Sequence, residues 1–263
     1  MTITDPPPPI DQLLCLDGKV ALVTGGSGNI GRGIGKRLAE AGAVVLVHCR
    51  SDAEGAARTA EEIAAAGGTA RVLEADLASE DEAEALFAGL GDMLVDCVVN
   101  NAAAQPVQNL ADLSGDAWRQ VIAANLDSAF YVTQAAVRRL RAGGRPGAVV
   151  NVASIEGSDP ASGHSHYATS KAGLLMFTRA SALEYGRDGI RVNAVSPGLI
   201  DRTGLADAWP DGVSRWQEKV PLSRLGLSSD VADAVLFLLS PAARWISGAN
   251  LVVDGAMSTV SRW

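Results

Sequence analysis

The chain has 263 residues, 48% of them apolar, and a formal net charge of −8 at pH 7. One α/β domain of this size is common, and this apolar content is enough to bury a sizeable core. An acidic chain without a basic run is a poor match for nucleic acid or for an anionic membrane, so we expect neither as a partner.

The three cysteines, Cys15, Cys49 and Cys97, stand far apart in the sequence. Their number and spacing indicate neither a disulfide framework nor a zinc site, so we expect a reducing compartment, the cytoplasm. The N-terminus has no signal-peptide pattern, and no apolar run is long enough to cross a bilayer. Four consecutive prolines near the N-terminus predict a mobile leader over residues 1–14, followed by a single domain over residues 15–263.

Short β-type runs alternate with longer helical patterns along the rest of the chain. The first run, Val20–Thr24, is almost wholly apolar, which is typical of a strand buried on both faces of a parallel sheet. It is followed by a helix from Ile30 to Ala41, where apolar side chains recur at helical spacing. The later elements, in chain order, are strand Ala43–Cys49, helix Glu54–Ala66, strand Ala70–Glu74, a helix opened by a capping box of Ser79 and Glu82, strand Leu94–Asn100, helix Leu113–Leu140, strand Ala148–Ser154, helix His166–Tyr185, strand Arg191–Val195, helix Asp230–Leu239 and strand Asn250–Val253.

This alternation predicts an α/β fold: a Rossmann-type, doubly wound, mostly parallel seven-stranded sheet with helices on both faces. Parallel neighbours need crossover helices, and the predicted helices supply them. The stretch from Asp201 to Gly226 is the least regular part of the domain.

The turn after the first strand is rich in glycine. Such a turn lets the backbone approach a pyrophosphate, and the helix that follows it offers unpaired N–H groups to the anion. A tight strand-to-helix turn also favours glycine, but the place of this one, between a buried strand and an amphipathic helix, favours nucleotide binding. It reads Thr24-Gly25-Gly26-Ser27-Gly28-Asn29-Ile30-Gly31.

The end of the second strand bears on the choice of nucleotide. An acidic side chain there favours NAD because it binds the ribose hydroxyls, whereas an arginine accommodates a 2′-phosphate. This chain has Arg50 and Ser51 and no carboxylate at that place. We predict NADP(H) as the preferred cofactor, with NAD(H) as the alternative if Arg50 is only a solvated loop residue.

Tyr167 and Lys171 stand four residues apart on a predicted helix, so both side chains lie on one face. An ordinary tyrosine has a pKa of about 10, and a positive charge beside it lowers that pKa. The pair therefore indicates a proton donor and acceptor. The alternative interpretation is a buried tyrosine beside a surface lysine.

The ordered set of motifs resembles the short-chain dehydrogenase/reductase family over nearly all of Leu16 to Gly255, and most of all its 3-oxoacyl-acyl-carrier-protein reductases. Asn29 stands where the middle glycine of the TGxxxGxG signature is expected. Asparagine tolerates a positive φ, but its side chain would crowd the cofactor. Ala103 replaces the glycine of the NNAG motif that begins at Asn100.

The resemblance implies a catalytic set of Asn125, Ser154, Tyr167 and Lys171. In that set Tyr167 exchanges a proton with the substrate oxygen and Lys171 lowers the pKa of Tyr167 and binds the nicotinamide ribose. Ser154 polarises the carbonyl, and Asn125 supports a water that relays protons. The residues implied to contact the cofactor are Gly25, Ser27, Gly28, Asn29, Ile30, Gly31, Arg50, Ser51, Asp76, Leu77, Asn101, Ala102, Tyr167, Lys171, Pro197, Gly198, Ile200 and Thr203.

The substrate is predicted to contact Ser154, His164, Tyr167 and Trp209. Trp209 and Trp216 either line an apolar pocket under a lid or only pack their loop. Paired histidines without a carboxylate or cysteine cluster make a poor metal site, so we predict no metal.

We therefore predict an NADP(H)-dependent oxidoreductase that interconverts a ketone or aldehyde and an alcohol. The favoured substrate is a small molecule, a 3-oxoacyl thioester or a small or cyclic ketone, and the resemblance implies a homotetramer. One alternative is a non-catalytic nucleotide-binding sensor or assembly module on the same fold, against which the complete catalytic set argues. Another is an enzyme of epimerisation or dehydration, which usually has an appended substrate domain.

Overall fold

The computed structural model describes residues 8–260. Its strands are β1 (Val20–Val23), β2 (Val44–Cys49), β3 (Thr69–Glu74), β4 (Cys97–Asn100), β5 (Gly147–Val152), β6 (Ile190–Pro197) and β7 (Asn250–Val253). Its α-helices are α1 (Asn29–Glu40), α2 (Ala53–Ala65), α3 (Glu80–Ala88), α4 (Gly115–Ile122), α5 (Ser128–Ala142), α6 (Ser165–Tyr185), α7 (Leu205–Ala208), α8 (Pro210–Lys219) and α9 (Ser228–Leu239).

The seven strands form one sheet in the order β3-β2-β1-β4-β5-β6-β7. The predicted doubly wound Rossmann-type sheet is confirmed, and every pairing between the described strands is parallel. The strand order reverses between β1 and β4, so the carboxyl ends of these two strands flank the crevice in which such sheets bind ligands.

Helices cover both faces of the sheet, which explains why its central strands are mostly apolar. On one face Val23 of β1 packs in a cluster with Ile34 of α1 and Val235 of α9. On the other face Leu22 packs in a second cluster with Val132 of α5. Successive side chains of a strand point to opposite faces, so both faces of β1 need apolar residues.

The helix predicted over Leu113–Leu140 is interrupted in the structure. A π-helical turn, Ala123–Asp127, separates α4 from α5. A pattern of apolar residues does not reveal one wider turn inside a helix, and such turns occur frequently at functional sites.

Two local predictions also differ in detail. The irregular stretch that begins at Asp201 contains α7 and α8, and Pro210 stands at the start of α8, where proline is favoured. At the start of α3, Ser79 Oγ accepts from the Glu82 N–H, but the Glu82 carboxylate accepts from the Asp76 N–H instead of completing the capping box.

The predicted leader is described only in part, because residues 1–7 lie outside the described residues. From there Ile10–Gln12 forms a 3₁₀ turn, and the N–H of Ala242 donates to the carbonyl of Leu13 at 2.9 Å. Among residues 8–260, no helix has the length and apolar content needed to cross a membrane. Over the same range the three cysteines are free, and no group of three or more metal-ligating side chains is found.

Candidate active site

The glycine-rich turn joins β1 to α1 at the centre of the sheet. Gly25 has a φ of +63°, and a Cβ there would lie 3.0 Å from Ala102 Cα. A Cβ on Gly31 would lie 2.2 Å from the carbonyl oxygen of Gly25. Neither position accepts a side chain, and α1 begins after Gly28 with no side chain capping its N-terminal N–H groups. These N–H groups are therefore free to bind an anion such as a pyrophosphate.

Asn29, at the place of the missing glycine, is the first residue of α1 and does not have a positive φ. Its Nδ2 donates to the carbonyl oxygen of Asp201 at 2.7 Å. The side chain thus connects the glycine turn to the segment after β6. The tolerance of asparagine for a positive φ is not needed here, and the crowding of a cofactor by this side chain stays a prediction.

His48 of β2 connects the glycine turn to the end of β3. The Gly25 N–H donates to His48 Nδ1 at 3.3 Å, and His48 Nε2 lies 3.0 Å from the Ala75 carbonyl oxygen. Since Nδ1 must accept, Nε2 carries the proton and the ring is neutral. Burial lowers the pKa of His48, against the opposing effects of the Ala75 hydrogen bond and the Asp76 charge. No role was predicted for this histidine, although a polar residue inside an otherwise apolar strand is a signal that the sequence carries.

The residues predicted for the adenosine end lie at the carboxyl ends of β2 and β3. Arg50 and Ser51 are exposed, and no ion pair of Arg50 is found within residues 8–260. Leu77 is buried, and Asp76 Oδ1 accepts from the Ala78 N–H at 3.1 Å. The exposed guanidinium is thus available to an external anion.

Hydrogen bonds of Asn101 connect the end of β4 to the glycine turn. Its Nδ2 donates to the carbonyl oxygens of Thr24 at 2.9 Å and Gly25 at 3.2 Å. The N–H groups of Asn101 and Ala102 both donate to Thr24 Oγ1. The side chain of Asn101 therefore stabilises the glycine turn. The cofactor contact predicted for Asn101 would then involve the backbone of Asn101, or Ala102 instead.

The structure brings Ser154, Tyr167 and Lys171 together. Ser154 follows β5, and the other two lie on the first turns of α6. Ser154 lies close enough to Tyr167 to lower the pKa of its phenol, and Lys171 Nζ lies 5.6 Å from the centre of the Tyr167 ring. All three residues are buried. Lys171 Nζ donates to the Val152 carbonyl oxygen at 2.7 Å.

Burial dominates the protonation of this pair. It raises the pKa of Tyr167 to about 12, with the Ser154 hydrogen bond opposing the shift and the charge of Glu156 adding to it. It lowers the pKa of Lys171 to about 8. A lowering of the Tyr167 pKa by Lys171 is not among these causes and stays a prediction, which requires the ammonium form of Lys171 that burial disfavours.

Asn125 lies on the π-helical turn and is buried. Its Oδ1 accepts from the Ala104 N–H at 2.7 Å, and its Nδ2 donates to the Ala104 carbonyl and to Ser170 Oγ at 2.9 and 3.0 Å. The side chain thus joins the loop after β4 to α6. It contacts neighbours of the catalytic residues, not Lys171 itself.

The end of β6 lies beside the end of β5, where the Ala153 N–H donates to the Val195 carbonyl oxygen at 2.8 Å. Pro197 and Ile200 are buried, and a Cβ on Gly198 would lie 2.9 Å from the Trp216 ring. Exposed Thr203 shares a cleft of about 450 Å³ with Ser27, Asn29, Arg202 and the starts of α1 and α9. This cleft places Thr203 near the glycine turn, and its contact with the cofactor stays a prediction.

Trp209 and His164 have different surroundings. Trp209 is half-exposed, and its indole lies so close to Gly212 that a Cβ there would be 1.9 Å from the ring. Trp216 packs in a cluster with Leu205. Both tryptophans pack their loop, and no contact places Trp209 beside Tyr167.

His164 lies next to the catalytic residues: its ring is 6.0 Å from that of Tyr167, and its Nδ1 is 2.8 Å from Glu156 Oε2. Sequence reasoning missed Glu156, although its place two residues after Ser154 was a usable signal. His166 is fully buried, and neither ring nitrogen has a partner among the described residues.

Known proteins share this sequence and fold. Residues 25–258 match the family described as enoyl-(acyl carrier protein) reductase. The chain is 39% identical over 254 residues to L-rhamnose 1-dehydrogenase (NAD(P)(+)) from Azotobacter vinelandii, covering 93% of this chain and 98% of that protein. It is 37% identical over 245 residues to a 3-oxoacyl-acyl-carrier-protein reductase from Aquifex aeolicus, covering 92% and 98%.

A similar solved structure is that of gluconate 5-dehydrogenase from Burkholderia cenocepacia in complex with NADP and tartrate. It superimposes with a TM-score of 0.88 at 29% identity, over 95% of this chain and 99% of that one. These matches run along nearly the whole chain. The glycine turn and the buried Tyr167 and Lys171 are consistent with the same family. The chain belongs to the short-chain dehydrogenase/reductase family of NAD(P)-dependent oxidoreductases.

Proposed function

We propose that this protein is an NADP(H)-dependent dehydrogenase that interconverts an alcohol and a carbonyl of a small molecule, with Tyr167 as the general acid and base. The proposal rests on one observation. Ser154, Tyr167 and Lys171 lie together in one buried group. Ser154 acts on the Tyr167 phenol at close range, so one substrate oxygen can contact both hydroxyl groups.

The residues of the glycine turn fit a dinucleotide. Gly25 and Gly31 leave no room for side chains, and the first N–H groups of α1 are uncapped. These groups would hold the pyrophosphate, Arg50 and Ser51 the adenosine end, and Lys171 the nicotinamide ribose. The nicotinamide supplies or accepts the hydride.

The protein's own groups handle the proton. In reduction Tyr167, a phenol at neutral pH because burial raises its pKa to about 12, donates a proton to the carbonyl oxygen. Ser154 donates a hydrogen bond to the same oxygen, and the Lys171 ammonium stabilises the phenolate left behind. In oxidation each transfer runs in reverse. Asn125 holds the loop after β4 against α6 and thereby positions this group.

Two observations support NADP(H) over NAD(H). The residue directly after β2 is Arg50, not a carboxylate, and the exposed Arg50 has no ion pair within residues 8–260. The related protein of Burkholderia cenocepacia was solved with NADP. An arginine at this place pairs with a 2′-phosphate, whereas a ribose hydroxyl favours a carboxylate.

The variant Tyr167→Phe tests the proposal. It removes only the phenolic oxygen, so we expect kcat to fall by about 10²- to 10⁴-fold while the Kd for NADPH stays unchanged. Cofactor absorbance measures turnover, and cofactor fluorescence measures binding. Tyr185→Phe, at the end of α6, is the matched control. Substantial turnover by Tyr167→Phe would contradict the role of Tyr167, and cofactor binding without turnover by the natural chain would favour a sensor.

We further propose a homotetramer in the cytoplasm. Strand β7 is an edge strand, and its Leu251 and Val252 are exposed by 37% and 44%, which supports its pairing with another copy. The buried free thiols Cys49 and Cys97 suit a reducing compartment. Light scattering at four times the chain mass tests the tetramer, and a monomeric mass would contradict it.

A further inference from the structure

Three polar side chains outside the catalytic group form a row beside Tyr167. Gln105 Nε2 donates to Glu156 Oε1 at 3.1 Å, and Glu156 Oε2 lies 2.8 Å from His164 Nδ1. The His164 ring stands edge to face against the Tyr167 ring, with their centres 6.0 Å apart. We call Gln105, Glu156 and His164 the polar wall.

The polar wall lies at the carboxyl edge of the sheet, where the reaction would occur. Gln105 is in the loop after β4, and Glu156 follows β5 with its N–H donating to Ser154 Oγ at 3.1 Å. His164 immediately precedes α6, three residues before Tyr167. The side chains of Glu156 and His164 are 15% and 16% exposed, so they are mostly packed and still within reach of a ligand. The charge of Glu156 also acts on Tyr167, whose pKa it raises.

The wall presents mainly hydrogen-bond acceptors. The Glu156 carboxylate accepts from Gln105 Nε2 and interacts with His164 Nδ1, and its remaining lone pairs can accept from a ligand. Gln105 uses its amide N–H on Glu156 and leaves its Oε1 to accept. Glu156 forms no ion pair other than that with His164 among the described residues. A ligand beside this wall must therefore bring donors and no negative charge.

We propose that the polar wall binds the hydroxyl groups of a neutral polyhydroxylated substrate, such as an aldose or alditol, whose reacting carbon lies at Ser154 and Tyr167. This inference rests on the proposed function and names its substrate class. It departs from the 3-oxoacyl thioester that we expected from the sequence. Identity does not separate the two classes, because a rhamnose dehydrogenase and a 3-oxoacyl reductase match at 39% and 37%.

Two kinds of competing substrate are disfavoured by the wall. The carboxylate of an aldonate, close to its reacting carbon, would be repelled by the charge of Glu156. An acyl chain would cover Glu156 and His164 without offering donors, and buried polar groups without partners are unfavourable.

In the reaction of such a substrate the C–H bond at the hydroxyl-bearing carbon breaks, and its hydride passes to oxidised nicotinamide. The O–H proton passes to the phenolate of Tyr167, and the carbon becomes a carbonyl. The alcohol is oxidised by two electrons and NADP⁺ is reduced to NADPH, so atoms and charge balance. The wall takes no part in these transfers: it sets the orientation of the neighbouring hydroxyl groups.

The experiment compares kcat/KM of the natural chain on three sets of substrates: neutral aldoses and alditols, aldonates, and acetoacetyl-coenzyme A assayed in reduction. We expect the best neutral sugar to exceed the other sets by about 10²-fold or more, as for a site that binds substrate hydroxyl groups. A better rate with acetoacetyl-coenzyme A or an aldonate would overturn the inference and leave the proposed function standing. No turnover of any substrate despite NADPH binding would overturn both.

Variants of the wall separate recognition from folding. Glu156→Gln and His164→Leu are expected to raise KM for the best neutral sugar by about 10-fold or more and to change kcat less, while His164→Gln, which keeps a donor and an acceptor, retains most of the affinity. Glu156→Gln should also reduce the discrimination against aldonates. Glu61→Gln, an exposed carboxylate of α2, is the control. An unchanged KM in both Glu156→Gln and His164→Leu, with NADPH binding intact, would contradict the inference.

Discussion

Tyr167 and Lys171 share a buried site in which burial favours the uncharged form of each side chain. It raises the pKa of Tyr167 to about 12 and lowers that of Lys171 to about 8. A protonated phenol suits the reduction direction, in which a proton must be given. The charge on Lys171 then decides how well the resulting phenolate is stabilised.

The pH dependence of reduction follows from Lys171. Below its pKa of about 8 the ammonium is present, and above it the charge is lost, so we expect kcat for carbonyl reduction to fall as pH rises through about 8. A pH–rate profile with NADPH measures this. Lys171→Arg keeps its charge throughout and should lose the fall in the profile, whatever its absolute rate. A flat profile of the natural chain up to pH of about 10 would contradict the assignment.

The lowered pKa of His48 leads to a second, independent prediction, which concerns the pH dependence of folding stability. Its pKa is lowered in the folded state, so below the unfolded value of 6.5 the unfolded chain binds more protons than the folded one. The contribution of neutral His48 to the free energy of unfolding is therefore complete above about pH 6.5. This contribution decreases as the pH falls from 6.5 towards the pKa of His48 in the folded state. Protonated Nδ1 could no longer accept from the Gly25 N–H.

Urea unfolding at pH values of about 7.5 and 5.5 measures the effect. We expect His48→Asn, which has no ring to protonate, to lose less stability between the two values than the natural chain loses. Its Kd for NADPH reports whether the glycine turn is kept in place. Equal losses in the two proteins would show that His48 does not set the acid sensitivity.

At the scale of elements, the π-helical turn between α4 and α5 explains how Asn125 acts. The turn places this side chain against both the loop after β4 and Ser170 of α6. Asn125 therefore holds together two elements that carry Gln105 and Tyr167. Its effect on the reaction passes through positioning.

Asn125→Ala leaves the N–H and carbonyl of Ala104 without their partners, so we expect a loss of about 1–3 kcal/mol in the free energy of unfolding. Denaturant unfolding measures it. In Asn125→Asp the contact with the Ala104 N–H remains, but the carboxylate would be buried against the Ala104 carbonyl oxygen, so a loss at least as large is expected at neutral pH. Full stability of Asn125→Ala would show that these hydrogen bonds do not hold the loop.

Over the whole molecule, the sequence supports accurate prediction of features that repeat along the chain. A strand was predicted over Val20–Thr24, and one forms over Val20–Val23, because both of its faces are buried and this leaves an apolar run in the sequence. The glycine turn and the pair Tyr167 and Lys171 were predicted because each is a short, local pattern with a family resemblance. The sheet and its two helical layers follow from the alternation of these elements.

Contacts between distant residues were not predicted, because one sequence does not show which side chains meet. Asn100 donates to Asn151, and Asn151 donates to Thr178 of α6, which forms a polar row inside the apolar core. The bond from Asn29 to Asp201 and the pair of Glu156 with His164 also join separate segments. The π-helical turn was missed because one wider turn leaves the apolar pattern almost unchanged.

The central claim is that this chain holds NADP(H) at the carboxyl edge of its sheet, with Asn29 at the start of α1 and Arg50 at the end of β2. Titration of the purified protein with NADPH and with NADH, followed by the fluorescence of the reduced cofactor, tests this claim without a known substrate. We predict saturable binding of both reduced cofactors. The Kd for NADPH should be lower than that for NADH by about 10-fold or more, as expected for an arginine that pairs with the 2′-phosphate. Tighter binding of NADH would contradict the assignment of Arg50, and failure to bind either cofactor would contradict the site itself.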